Sequence, residues 1–106
     1  MTDKVLNGIL IDERIELTLH DLEHACACST EWVLELVDEG VLEARGDDPR
    51  SLRFGGASLA RALRATRLKR DLGLNLPGIA LAIEMLDEIE ALRVQLRRIE
   101  ASDLDQ

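Results

Sequence analysis

A chain of 106 residues makes one domain, or one small domain with a long appendage. Its apolar share of 46% suffices for a core, which Trp32 and Phe54 alone leave mostly aliphatic, and no run nears the ~18 apolar residues of a membrane span. The net charge of −8 repels nucleic acid overall, so any such contact would need a local basic patch. That charge is uneven. Residues 1–40 carry two bases against ten carboxylates, 41–75 are net +4, and 76–106 return to −4. The start, MTDKVLNG, lacks the basic-then-apolar plan of a secretory signal, which predicts a cytoplasmic protein with Cys26 and Cys28 as reduced thiols.

In chain order, Val5 to Leu19 alternates apolar and polar residues, with Ile9, Ile11, Ile15 and Leu17 in phase. This predicts a short strand, or a hairpin turning near Asp12-Glu13. Thr18 opens a helix, with Asp21 three residues on as the partner in a short capping box. Leu19, Leu22, Ala25 and Cys26 form its apolar stripe, and it stops near Ala27. Ser29 or Thr30 caps a second helix that Gly40 ends. At 100° per residue, Trp32, Val33, Leu36 and Val37 face the core, while Glu31, Leu34, Glu35 and Asp38 share the outer face. Two short helices so joined predict a helix-turn-helix.

Next, VLEAR and SLRF flank Gly46-Asp47-Asp48-Pro49, a hairpin of the size and position of a wing. A third helix from near Ser58 to Asp71 turns Leu59, Leu63, Thr66 and Leu68 inward. Arg61, Arg64, Arg67, Lys69 and Arg70 make it strongly basic. Gly73 closes it. Asn75 then caps a long helix to about Glu100, with Pro77 in its first turn. Ala82, Met85, Ile89, Leu92, Leu96 and Ile99 follow 3-4 spacing, a coiled-coil seam. Ile79, Ile83 and Leu86 form a second stripe at the base only. The base therefore packs on its own domain, while Met85, Ile89, Leu92, Leu96 and Ile99 either fold back on the chain's own core or, the favoured reading, meet another chain in an antiparallel homodimer. The fold class is mainly α, with a winged helix-turn-helix over 1–74 and a long coiled-coil dimerisation helix with a short tail over 75–106.

This plan resembles MerR-type winged-helix regulators, through TLHDLEHACACS, VDEGVLEAR and RLKRDLGLNLPGIALAI. Within that superfamily the chain is most similar to the chaperone-modulator CbpM family, above all in RLKRDLGLNLPGIALAIEMLDEIE. The likeness covers about residues 8–100. It implies a small cytoplasmic protein that binds the J-domain of a DnaJ-like (CbpA-type) co-chaperone, restraining the partner's work with DnaK and its binding to DNA. Ala27 stands where the superfamily usually has a turn glycine.

The outer face of the second helix decides between partners. In a helix-turn-helix that face enters the major groove. Glu31, Glu35 and Asp38, with no base or amide among them, cannot steer a helix into a polyanion. Arg45, Arg50, Arg53 and the basic third helix could touch phosphates or could neutralise the domain's own acids. A MerR-like DNA-binding regulator remains the alternative reading. On the residues alone, the outer face is either an ordinary solvated surface carrying one leucine or a small protein-binding patch, Leu34 rimmed by acids. The resemblance favours the patch, since J-domains present a basic helix to an acidic chaperone surface.

His20, His24, Cys26 and Cys28 lie close together, but Cys-x-Cys is not zinc-site spacing and no second ligand pair follows, so no metal is expected. No phosphate loop or nucleophile–base pair points to catalysis, and no cofactor is expected.

Overall fold

The computed structural model describes the backbone of residues 3–6, 9–12 and 14–104, and the side chains of 14–103. Strands β1 (Asp3–Leu6) and β2 (Ile9–Asp12) pair antiparallel, with Leu6 opposite Ile9 and Asp3 opposite Asp12. The chain thus reverses before Ile9 and not near Asp12-Glu13, of which Glu13 lies outside the described residues. β2 runs alongside the third helix. Strand β3 (Leu17–Thr18) then leads directly into α1 (Leu19–Cys26).

The predicted capping box is present. The Asp21 amide donates to the Thr18 hydroxyl at 3.1 Å, and the Thr18 amide donates to the Asp21 carboxylate at 2.8 Å. The Thr18 amide first, and the Thr18 hydroxyl after it, hold the Asp21 carboxyl below its ordinary range. α1 ends on Ala27, in the left-handed region at φ 51°. The Cys28 amide reaches back to the Glu23 carbonyl at 3.1 Å and the Ala27 amide to that of His24 at 3.3 Å, the two bonds of a Schellman motif. α2 (Thr30–Asp38) is capped by the Ser29 hydroxyl, which accepts from the Trp32 amide at 3.1 Å. Its end repeats the same motif with Gly40 in the left-handed position.

The wing is β4 (Ala44–Arg45), a single 3₁₀ turn over Pro49–Ser51, and β5 (Arg53–Phe54). β5 lies centrally, pairing with both β3 and β4, so the strand before α1 is sewn to the wing. Gly46 makes the turn possible: its φ is +118°, and a Cβ there would sit 2.6 Å from the Ser51 carbonyl oxygen. α3 spans Gly56–Leu72 and α4 spans Leu76–Leu104. Asn75 caps α4, its side-chain oxygen accepting from the Gly78 amide at 2.9 Å. Twenty-nine residues make α4 a rod of about 43 Å, set against a longest molecular dimension of 53 Å. Among the described residues no helix is long and apolar enough to cross a membrane.

The core joins Leu22 and Cys26 of α1, Trp32, Val33 and Leu36 of α2, Val41, Leu42, Phe54, and Ala62 and Ala65 of α3. Ile79 and Ile83 of α4 complete it. α3 presents small residues inward: Ser58, Ala62 and Ala65 are buried, whereas Leu59, Leu63, Thr66 and Leu68 are half-buried on its flanks. Alanine at the contact lets α3 approach closely, and the leucines pack around its sides. Ala25, expected in the stripe of α1, is exposed. Only Leu22 and Cys26, four apart, point fully inward on so short a helix.

Candidate functional site

α2 is held from behind. Trp32, its largest residue, is buried, and its Nε1–H donates to the Thr66 hydroxyl of α3 at 3.1 Å. Thr66 donates in turn to the Ala62 carbonyl at 2.8 Å. Lys69 completes the clamp, its Nζ 4.2 Å from the centre of the Trp32 ring. From the other side, the Thr30 hydroxyl donates to Glu23 of α1 at 3.0 Å. These ties fix which face of α2 looks outward.

On that face lie the four residues singled out from periodicity. Glu31, Glu35 and Asp38 are exposed, and Leu34 is half-buried among them, less open than the sequence implied. None of the three carboxylates belongs to an ion pair among the described residues. The face is therefore a strip of uncompensated negative charge around a partly exposed apolar side chain.

Periodicity missed how far this surface extends. Beyond Asp38 the chain turns at Glu39-Gly40, and those two residues line a recess of about 290 Å³ with Val41, Ala80, Ile83, Glu84 and the paired Arg61 and Asp87. Glu84 of α4 is thus brought to the same recess as Glu39, just past the end of α2. No local pattern relates residues 45 positions apart, so only the docking of α4's base brings them together.

The basic residues tell the opposite story. Arg61 is paired with Asp87 of α4, Arg70 lies 3.0 Å from Asp71, and Lys69 covers Trp32. On the wing, Arg45 lies 4.0 Å from Glu16, and Arg53 donates to the Leu52 carbonyl at 2.9 Å. Most of the positive charge that could meet phosphates is engaged within the domain.

Cys26 is buried and Cys28 half-buried against the core. Burial, reinforced by neighbouring Cys28, pushes the Cys26 thiol up to about 11, and burial also raises Cys28. Both are protonated at neutral pH, the form that binds metal poorly. His20 and His24 stack with ring centres 6.4 Å apart on the surface of α1. Among the described residues no three His, Cys, Asp or Glu side chains are grouped to hold a metal ion.

Met85, Ile89, Leu92, Leu96 and Ile99 all project from α4 into the open, between 43% and 57% exposed, and Leu81 joins them at 58%. The single chain leaves this whole apolar stripe uncovered.

A family model described as a MerR HTH family regulatory protein matches residues 17–101. The chaperone modulatory protein CbpM of Coxiella burnetii (strain Dugway 5J108-111) is 37% identical over 100 residues, covering 94% of each chain. Proteins of the same name from Pseudomonas entomophila (strain L48) and Pseudomonas putida (strain W619) are 33% and 32% identical, each over 74% of this chain and 78% of the relative. The match spans the helix-turn-helix, the wing and nearly all of α4, so the elements that build the acidic face lie within it. A winged helix-turn-helix with a long terminal helix and full-length identity of this order places the chain in the MerR HTH family and, within it, among the CbpM chaperone modulators.

Proposed function

We propose that this protein is a cytoplasmic chaperone modulator that binds the J-domain of a DnaJ-like, CbpA-type co-chaperone through the outward face of α2. Glu31, Leu34, Glu35 and Asp38 take the basic helix of that domain, and occupancy inhibits both the co-chaperone and the DNA-binding activity of the partner. The observation that carries this reading is the uncompensated acidic strip around Leu34, on a chain whose relatives are named chaperone modulatory proteins. A strip of carboxylates repels phosphate and attracts a cationic helix. The same face, offered to a DNA groove, would present acceptors where donors are needed. The protein acts as a homodimer joined along Met85, Ile89, Leu92, Leu96 and Ile99.

Isothermal titration against the J-domain of the co-chaperone from the same genome tests it. Glu35→Lys with Asp38→Lys should weaken binding at least tenfold, with circular dichroism unchanged because both sites are exposed. Leu34→Ala should cost about 1 kcal/mol or more, as a partly desolvated anchor does. Wild-type affinity should fall as salt rises. Undiminished binding by the charge-reversed variant would move the contact elsewhere, and a low-salt DNA mobility shift by the wild type would support the regulator reading instead.

A further inference from the structure

The recess just past the end of α2 is built from parts that the α2 face alone does not use. Its floor is apolar, with Val41 and Ile83 buried and Ala80 half-buried. Its rim is acidic. Glu39 and Glu84 are exposed and in no ion pair among the described residues, while Asp87 is taken by Arg61. Three carboxylates against one guanidinium leave the recess net negative. Gly40 keeps it open. The left-handed cap after α2 holds Gly40 at φ +81°, where a side chain is strained, and a Cβ there would meet nothing within 4 Å. The turn chemistry that ends α2 thus leaves the mouth of the recess bare.

At about 290 Å³ the recess is smaller than the clefts of roughly 300–1,000 Å³ that enclose small ligands, and it suits one long side chain brought by a partner. Apolar floor and acidic rim specify that side chain. Lysine and arginine lay an aliphatic stem on apolar surface and keep the charged head at a polar rim. An acidic or a purely apolar side chain would leave one of the two parts unmatched. The recess is also continuous with the outward face of α2. Glu39 follows Asp38 directly and lies one turn beyond Glu35, so the acids run on from Glu31 for about 12 Å before they reach it. A cationic helix laid along that face and continuing past its end meets the recess next.

We propose that the recess is an anchoring subsite for one lysine or arginine of the J-domain's basic helix, its stem on Val41, Ala80 and Ile83 and its charged head held by Glu39 and Glu84. The inference rests on the reading of the α2 face given above. It adds the base of α4 to the binding surface, so a partner is selected by whether a base stands one step beyond those that meet Glu35 and Asp38. A cationic helix without that base finds the strip but leaves two carboxylates and an apolar floor unmet.

Isothermal titration of the full chain against the same J-domain tests the subsite and separates it from the α2 face. Glu39→Gln with Glu84→Gln, both at exposed positions, should weaken binding at least fivefold with the circular dichroism unchanged. Ala80→Leu, which fills the floor without altering charge, should weaken it at least fivefold as well, and the glutamine pair decides alone if that variant fails to fold. Each lysine and arginine of the basic helix is then changed to alanine in turn. One of them should cost at least fivefold in affinity against the wild type and less than twofold against the glutamine pair, while its neighbours cost the same against both. Equal costs against both proteins for every base would make Glu39 and Glu84 part of a diffuse field and overturn the subsite. Full affinity in the recess variants, with Glu35→Lys and Asp38→Lys still weakening binding, overturns the subsite and leaves the α2 face standing. Weakening by the recess variants but not by that reversal overturns the α2 face, and the shared geometry with it. A wild type that does not bind overturns both.

Discussion

Ala27 holds φ 51° and ψ 47°, a conformation that costs a residue with a Cβ about 1 kcal/mol relative to glycine. Gly40 occupies the matching position after α2 without that cost. Ala27 is exposed, so its methyl contributes no packing. Ala27→Gly should therefore raise stability by about 0.5 kcal/mol, after the greater freedom of the unfolded chain is deducted. Thermal denaturation should show a midpoint a few degrees higher, and a lower one would mean that the methyl makes a contact that matters. Next door, Cys26 ties stability to pH. Its folded-state value of about 11 lies above its ordinary value of 9.0, so the folded state retains the proton longer. The resulting stability is complete below pH 9, is lost as pH rises from 9 to 11, and is then constant, a change on the order of 2 kcal/mol. With no tyrosine and only Lys4 and Lys69 as lysines, few other groups titrate there. Urea midpoints should fall across that window in the wild type and stay nearly flat in Cys26→Ala with Cys28→Val. That variant should fold, at a cost of about 1–2 kcal/mol.

At the scale of elements, the helices were legible because their ends carry chemistry. Thr18, Ser29 and Asn75 accept from backbone amides as their residue types foretell, and Gly40 and Gly73 take the left-handed positions. Alternation from Ile9 to Leu17 suggests one unit turning near Asp12-Glu13, whereas the first hairpin pairs Leu6 with Ile9. The stronger signal was the Asn-Gly dipeptide between Leu6 and Ile9. Beyond β2, the alternation belongs to β3, which joins a different sheet. On α3 the expected Leu59, Leu63 and Leu68 do pack against the core, but periodicity of large residues does not reveal that close helix contact buries Ala62 and Ala65 between them. α4 was the plainest element, with its two stripes diverging at the base. Leu92→Asp would set a carboxylate in the middle of the seam, where desolvation costs several kcal/mol unless it is paired. Light scattering should find the wild type at twice the mass of this variant.

At the scale of the molecule, the charge blocks along the sequence become surfaces. The acidic first block yields the strip on α2, and Glu84 of the third block lines a recess with Glu39 just past its end. Half of the bases of the middle block are engaged within the domain, on Asp87, Asp71, Glu16 and the Trp32 ring. The faces of α2 were legible because one helix and one period define them. The join between α2 and α4, and the pairing state of each arginine, depended on contacts distant in sequence that no local period encodes. Trp32 has a use of a different kind. It is the sole tryptophan of a chain without tyrosine, it is buried under Lys69, and it lies on the reverse of the helix that carries Glu31, Glu35 and Asp38. Its emission is an intrinsic optical probe of the α2–α3 clamp, free of background from other indoles. Unfolding should shift that emission to the red, and a ligand that tilts α2 should alter its intensity. Occupancy of the acidic face can thus be followed by fluorescence with no label attached to the protein.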